Sequence, residues 1–520
     1  MVYDLIIAGG GINGAALARL AAYQGLKVAL FENGDFGQGA SSNTSKLLHG
    51  GLRYLETYDF GLVRDATHER AELLNIAPHL VEARHFLFPK TRLGRHNRPM
   101  IKVGLILYDF LAGKLRISPH RWVSPKELAR LEPFFLPEEK CGAYEYSDCV
   151  MDDARLVIEN LVDARSLGAE IWNYRSFQGM ERSRDGILDV TVLDRISGKE
   201  IVYQARKLAM TLGPWTDQVL AKTFRWEKPQ VRLSQGIHLI ADGLPSHSCF
   251  ILPVPNSRRY FFVVPWKGKH LIGTTETEVG DYPPNLVLPK EEEIEELLAL
   301  TRTFFPGQNP IVICTITGLR PLARSTKGST ITLSREHEFH QMEAGVFSAV
   351  GGKYTTHRTF AEQFLQFILG SKVLIKNIKP RLLPGAWNGE IGRANLETKL
   401  LAYPFVDAGI CKAWMRRYGM RGLELAEFVA TTPNGPDRLS VTDSVLYGEV
   451  RFAYEKEWAK TPTDFFRRRT DIYFTARAGI EMLAKVKAFF LRENPLLEKS
   501  LGLDADYTDF LKGNRHRAIL

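Results

Sequence analysis

Cysteine is scarce in this chain and nowhere paired. The five (Cys141, Cys149, Cys249, Cys314 and Cys411) lie far apart in 520 residues, with no Cys-x-x-Cys. This spacing excludes a zinc ribbon and a disulfide-stapled scaffold, and it fits buried free thiols in a reducing compartment. No metal site is expected. Long apolar runs are also missing: nothing approaches the ~18–20 residues of a membrane-spanning helix. No signal or transit segment precedes the first strand, which begins at Tyr3. Internal repeats and low-complexity tracts are absent, which excludes a solenoid or a biased, disordered chain. Acid is in deficit, 59 Asp and Glu against 68 Lys and Arg, giving a net charge of +9. That balance suits an anionic partner, whether a phosphorylated substrate, an acidic lipid surface or nucleic acid.

What is present reads as an enzyme. The length exceeds what one hydrophobic core serves, so two or three domains are expected. Asp4 to Ala8 is a short apolar run of the kind found in buried parallel strands. Gly9-x-Gly11-x-x-Gly14 follows at once, with Ile12 and Asn13 inside the turn, then a small-residue helix from Ala15 to Gln24. A second strand, Leu26 to Phe31, ends in Glu32. Gly9 permits the tight turn, Gly11 lets backbone approach a pyrophosphate, and Gly14 lets helix and strand pack closely. The helix N-terminus offers N–H groups and a positive dipole end to phosphates. Glu32 is placed to accept ribose hydroxyls, which favours FAD or NAD over NADP.

Two later turns bear on the choice between FAD and NAD. Leu208 to Gly213 is an apolar strand running into Pro214-Trp215, and "VFSAVGGKYTTHR" runs into Gly351-Gly352-Lys353. Strand-to-glycine turns this far apart suit a long cofactor crossing several strand ends; a single NAD fold is complete within about 150 residues.

Six stretches, "SSNTSKLLHGGLRYLE", "YEYSDCVMDDARLV", "GPW", "VVPW…IGTTETE", "GLRPL" and "GGKYTTHR", carry a family likeness. Together the sequence resembles the FAD-dependent glycerol-3-phosphate dehydrogenases, respiratory flavoenzymes, from residue 2 to about 375 and more loosely beyond. The resemblance implies an α/β fold: a Rossmann-like FAD-binding domain of the glutathione-reductase/amino-acid-oxidase type, an interleaved antiparallel-sheet substrate domain, and a C-terminal helical domain. The expected divisions are 1–80, 140–215 and 315–378 for the FAD-binding domain, 81–139 and 216–314 for the substrate domain, and 388–520 for the helical one.

It also implies site residues. Ser41, Ser42, Thr44, Ser45, Lys46, Leu47, Gly213, Trp215, Gly352, Lys353 and Thr355 join the glycine turn and Glu32 around FAD. Arg53, Tyr54, Arg320, Arg335 and Lys353 are expected to hold glycerol 3-phosphate, because a phosphomonoester attracts several cationic donors. Removing a hydride from carbon 2 requires a base for the hydroxyl proton, and histidine is suited near neutral pH. His49 is the first candidate and His238 the second; Arg320 and Lys353 are expected to stabilise negative charge. Around His238 the sequence departs from the family, with Gln235-Gly236-Ile237 where relatives carry Lys-Gly-Ser.

From Phe86 to Arg130 there are ten Lys or Arg against two acids, around the apolar stretch "MIKVGLILYDFLAGKLRI". It reads either as a core helix with solvated basic neighbours or as an interfacial segment on an anionic leaflet. Peripheral docking at the cytoplasmic face of the inner membrane, with a membrane quinone as acceptor, is the expectation; a purely cytoplasmic protein is the other. "KEEEIEELLALTRT" reads as an amphipathic surface helix, and "KPRLLPGAW" as a linker. Arg467-Arg468-Arg469 lacks an aromatic platform, so nucleic acid is not expected, and the triplet reads as a surface cluster or subunit contact in a possible homodimer. Competing functions are an oxidase that uses oxygen, an amine or amino-acid oxidase, and a flavin-binding regulatory protein without turnover.

Overall fold

Leu5–Ala8 is buried along its whole length, as a strand covered on both faces must be. In the computed structural model, which describes residues 1–136, 141–280, 288–324, 337–370, 381–440, 444–475 and 479–497, it is central to a six-stranded sheet. The order is His337–Glu343, Val346–Gly351, Leu208–Met210, Leu5–Ala8, Val28–Phe31, Glu170–Trp172. All neighbours pair in parallel except the first two. Helix Ile12–Tyr23 packs on this sheet between helices Asp153–Ser166 and His357–Leu369, around Leu17, Ala18, Ile158 and Phe364. The expected strand–turn–helix–strand unit is there, with the helix starting three residues earlier than its small-residue run suggested.

A second, ten-stranded sheet carries the rest of the site. Its long member, Val231–Asp242, pairs antiparallel with Ile311–Ala323 over nearly its full length and with Lys269–Gly273 and Thr277–Val279 on its other edge. Val81–Pro89 pairs antiparallel with Ala143–Met151 from Val81↔Met151 to Pro89↔Ala143. Both Ala143–Met151 and Ile311–Ala323 therefore belong to this sheet, and divisions at 140 and 315 cut through it. Backbone pairing, which composition does not encode, decides the matter. The acidic helix is found at Glu291–Phe304, and its Ile294, Leu297 and Phe304 are buried against the sheet.

Among the described residues, five α-helices between Gly389 and Glu493 form the C-terminal unit, with a π-helical turn at Asp464–Arg469. Here the arginine triplet corrects the sequence reading: Arg467, Arg468 and Arg469 are buried rather than at the surface. Arg469 grips both oxygens of Asp35, at 2.7 and 2.8 Å, and Arg468 reaches Asp35 at 2.5 Å and Asp464 at 2.6 Å. Burial alone would raise the Asp35 carboxyl; the two guanidiniums outweigh it and hold it well below the usual carboxylate range. A second cluster lies alongside. Arg155 forks onto Glu457 at 2.5 and 2.8 Å, and Arg421 bridges Glu159 and Glu457 at 3.0 and 2.6 Å. The C-terminal unit is thus clamped to the nucleotide-type sheet by buried charge.

Candidate active site

The carboxyl ends of the parallel strands open into a cavity of about 560 Å³ that continues beneath the ten-stranded sheet. One end is bounded by Glu32, Asn33, Ser176 and Phe177. The middle is bounded by Gly9, Gly11, Ile12, Asn13, Ser41 and Gly213, and the far end by Ser45, His49, His238, Arg320 and Lys353. Gly9 has φ +110, and a Cβ there would stand 2.5 Å from Thr211 O, so the turn admits only glycine. The N-cap of helix Ile12–Tyr23 is Gly11, which has no side chain of its own to bond the helix N–H groups. Glu32 accepts Gly10 N–H at 2.6 Å and Gly34 N–H at 2.9 Å, while desolvation pushes its carboxyl up. Its oxygens keep lone pairs for further donors. An acid, a glycine turn and a helix N-terminus in this order fit an FAD laid across the strand ends.

The 41–45 loop forms one wall. Ser41 Oγ accepts Ile12 N–H at 3.0 Å. Asn43 donates to Gln38 O and Gly39 O, closing the loop on itself. Thr44 Oγ1 donates to Asp153 at 2.7 Å, and Lys46 Nζ binds the other oxygen of Asp153 at 2.6 Å and Ser42 O at 2.7 Å. Ser42 and Lys46 are buried behind the wall, outside the cavity lining; Lys46 faces a carboxylate where a cofactor contact was expected. Burial lowers its ammonium, with Asp153 opposing. Gly14 also lies behind the wall: a Cβ there would meet Gly9 O at 1.9 Å, a packing role. Thr44, Ser45, Leu47, Trp215, Gly352 and Thr355 line the cavity.

Arg320 projects from Ile311–Ala323 over Gly236, where a Cβ would come within 2.2 Å of Nη2, and it donates to Thr274 Oγ1 at 2.6 Å. His238, two residues along the paired strand, is buried with Nε2 3.0 Å from Ser45 Oγ. Burial, helped by Arg320 and Lys46, lowers the imidazole to about 3, so it is neutral at physiological pH. Gln235 points to the opposite face of the strand, donating to Glu293 at 2.9 Å and Leu288 O at 3.2 Å. The departure from Lys-Gly-Ser is therefore a change in packing against the Glu291–Phe304 helix, away from the cavity.

Lys353 Nζ sits 3.6 Å above the ring of Tyr54, itself buried, with Arg53 5.9 Å from the same ring. Tyr54 and Arg53 thus stand behind Lys353, beyond the lining. Arg335 lies outside the described residues. The sequence reading missed the support of the His49 block. Gly50 N–H donates to Tyr108 Oη at 2.9 Å and Asp148 Oδ1 at 3.1 Å, and buried Arg70 holds Asp148 at 2.5 Å. Asp148 lies inside the quoted "YEYSDCVMDDARLV", but only strand pairing brings it to Gly50. Among the described residues no group of His, Cys, Asp or Glu is arranged to hold a metal ion.

Residues 4–357 match the FAD dependent oxidoreductase family. The chain belongs to that family. This flavoenzyme's cofactor is FAD, and its residues 379–494 match the C-terminal domain of alpha-glycerophosphate oxidase. Among its relatives, D-erythritol 1-phosphate dehydrogenase of Brucella abortus is 34% identical, over 90% of this chain and 94% of the relative. Glycerol-3-phosphate dehydrogenase of Synechocystis is 32% identical, over 92% and 91%. The fold is that of the FAD-complexed glycerol-3-phosphate dehydrogenase of Bacillus halodurans, with TM-score 0.77 at 24% identity, covering 99% of this chain and 94% of that one.

Proposed function

We propose that this flavoenzyme oxidises sn-glycerol 3-phosphate to dihydroxyacetone phosphate and delivers the electrons to a membrane quinone. The observation that supports the substrate is that Arg320, Lys353, His238 and His49 line the same cavity as Glu32 and the glycine turn. FAD, when bound, supplies the acceptor for the hydride from carbon 2. Arg320 and Lys353 hold the phosphate dianion, and Arg53 and Tyr54 position Lys353 from behind. His238 takes the hydroxyl proton through Nε2, which stands 3.0 Å from Ser45 Oγ at the cavity wall, and the bound phosphate dianion offsets the Arg320 charge that helps to lower the imidazole. Arg320 beside it stabilises the developing alkoxide. His49, held by the Gly50 network, orients the carbinol.

Membrane docking is supported by helix Arg98–Ala112. Ile101, Leu105, Tyr108 and Ala112 are buried, while Met100, Val103, Ile106 and Phe110 are 56, 65, 50 and 78% exposed on the other side. Lys102, Lys114 and Arg116 flank them. Each of the two sequence readings thus describes one face of the same helix, and the outer one suits an anionic leaflet. No helix among the described residues is long and apolar enough to cross a membrane.

A second reading keeps the chemistry and lengthens the substrate to a four-carbon polyol phosphate, favoured by the likeness to D-erythritol 1-phosphate dehydrogenase. Anaerobic titration, following the flavin absorbance, tests both. Bleaching by glycerol 3-phosphate well before erythritol 1-phosphate, and none by glycerol or amino acids, supports the first. The reverse order supports the second, and bleaching by an amino acid alone overturns both. Rapid peroxide formation in air, with no gain on adding a quinone, would replace the quinone by oxygen.

A further inference from the structure

The cavity wall at Asn43 is held from the far end of the chain. Asn43 Oδ1 accepts Arg467 Nη2 at 2.6 Å across 424 residues of sequence. Its own amide closes the loop through Gln38 O at 3.1 Å and Gly39 O at 2.7 Å. Its carbonyl abuts Gly318, where a Cβ would come within 2.5 Å, on the strand that carries Arg320. One residue therefore joins the cofactor loop, the substrate strand and the C-terminal unit, through its side chain and its carbonyl.

Arg467 differs from its two neighbours. Arg468 and Arg469 are committed to carboxylates and already anchor the π-helical turn. Arg467 is 3% exposed, packs over Tyr473 at 4.8 Å, and has no carboxylate within ion-pair distance among the described residues. Its Nη1 has no hydrogen-bond partner among them either. Burying a guanidinium against one neutral acceptor is unfavourable as an anchoring device. It is what a positioning contact requires.

We propose that Arg467 is a positioning residue for FAD: by fixing Asn43 it sets the 41–45 loop, in which Ser41 meets the first turn of the cofactor helix and Ser45 meets His238. The C-terminal helical unit thereby controls how tightly the cofactor is kept. This goes beyond the substrate reading and is independent of it, because the test contains no substrate.

The test is the rate of FAD release from full-length holoenzyme on dilution, read as the rise of flavin fluorescence, for Arg467→Met, Arg467→Lys, Asn43→Ala and the double variant R467M/N43A. We expect R467M and N43A each to release FAD at least tenfold faster than wild type. The double variant should be no faster than N43A within twofold, because N43A already removes the Arg467 contact together with the loop's own two amide bonds. R467K, which keeps a donor, should return to within threefold of wild type. Wild-type release from R467M, multiplying effects in the double variant, or no rescue by lysine would overturn the proposal. If R467M does not accumulate as folded protein, Asn43→Asp decides beside N43A, since it loses the loop's two amide bonds but keeps the oxygen that accepts from Arg467: release within threefold of wild type while N43A is tenfold faster supports the proposal, and equal release from N43D and N43A overturns it.

Discussion

Gly236→Ala tests whether the substrate end works by the exact placing of one guanidinium. The added Cβ would lie 2.2 Å from Arg320 Nη2 and 2.7 Å from both its Cζ and Thr274 Oγ1, where ordinary contact begins at 3.4 Å. The strand under Gly236 is hydrogen-bonded on both edges near this point and is buried, so the side chain must give way, by about 1.2 Å. The bond from Nη2 to Thr274, 2.6 Å long, is then broken. A misplacement of about 1 Å in a positioning group costs on the order of 10²-fold in rate. The expected fall in kcat/KM for the phosphorylated substrate is therefore ~100-fold, equivalent to ~2.7 kcal/mol of transition-state stabilisation. The FAD content should stay at wild-type level. Steady-state kinetics with an artificial acceptor, alongside a flavin spectrum, measures both quantities. A kcat/KM within threefold of wild type would refute the reasoning, since the guanidinium would then have a second position that works equally well.

Acid stability should report the buried imidazoles. His79, His238 and His357 are each lowered to about 3, with burial the largest cause. The fold keeps them neutral while the unfolded chain takes up protons below about pH 6.5, so this stability is complete above that pH and is lost as pH falls towards 3, by up to ~1.4 kcal/mol per pH unit for each. In guanidinium titrations between pH 7 and 5, His79→Leu should lower the pH slope, leaving the part that His238, His357 and the less strongly lowered His270 supply; an unchanged slope would show that His79 is charged in the fold. Asp35→Asn removes the counter-charge of two fully buried arginines, an expected loss of ~3–5 kcal/mol, and thermal unfolding that matches wild type would show the clamp to be energetically idle. For docking, V103E together with F110E should abolish co-sedimentation with anionic vesicles while leaving the flavin titration intact, and retention on the vesicles would move the docking face elsewhere.

The nucleotide grip was legible because its information is local. Strand, glycines, helix and Glu32 fall within about thirty residues, each with a steric or electrostatic reason for its place. The separate roles of Ser42 and Lys46 were not legible, since residues of one polar loop point alternately into the cavity and towards Asp153. Strand alternation likewise sends Gln235 away from the site its neighbours serve. The sheet membership of Ala143–Met151 rests on pairing with Val81–Pro89 across about sixty residues, a relation that no composition records. Most hidden was the arginine triplet, for three consecutive cations look the same in sequence whether they face water or a carboxylate 434 residues away.

That separation has a consequence for biosynthesis. Asp35 leaves the ribosome long before Arg469, and at ~5–20 residues per second the interval is on the order of 20–90 s. Throughout it the nascent nucleotide domain carries a carboxylate, Asp35, whose two guanidinium partners do not yet exist, and a cofactor loop still lacking Arg467. Stable loading with flavin should therefore be among the last events in making the enzyme. A message truncated before codon 467 should yield a chain that quality control removes, rather than a smaller enzyme with reduced turnover.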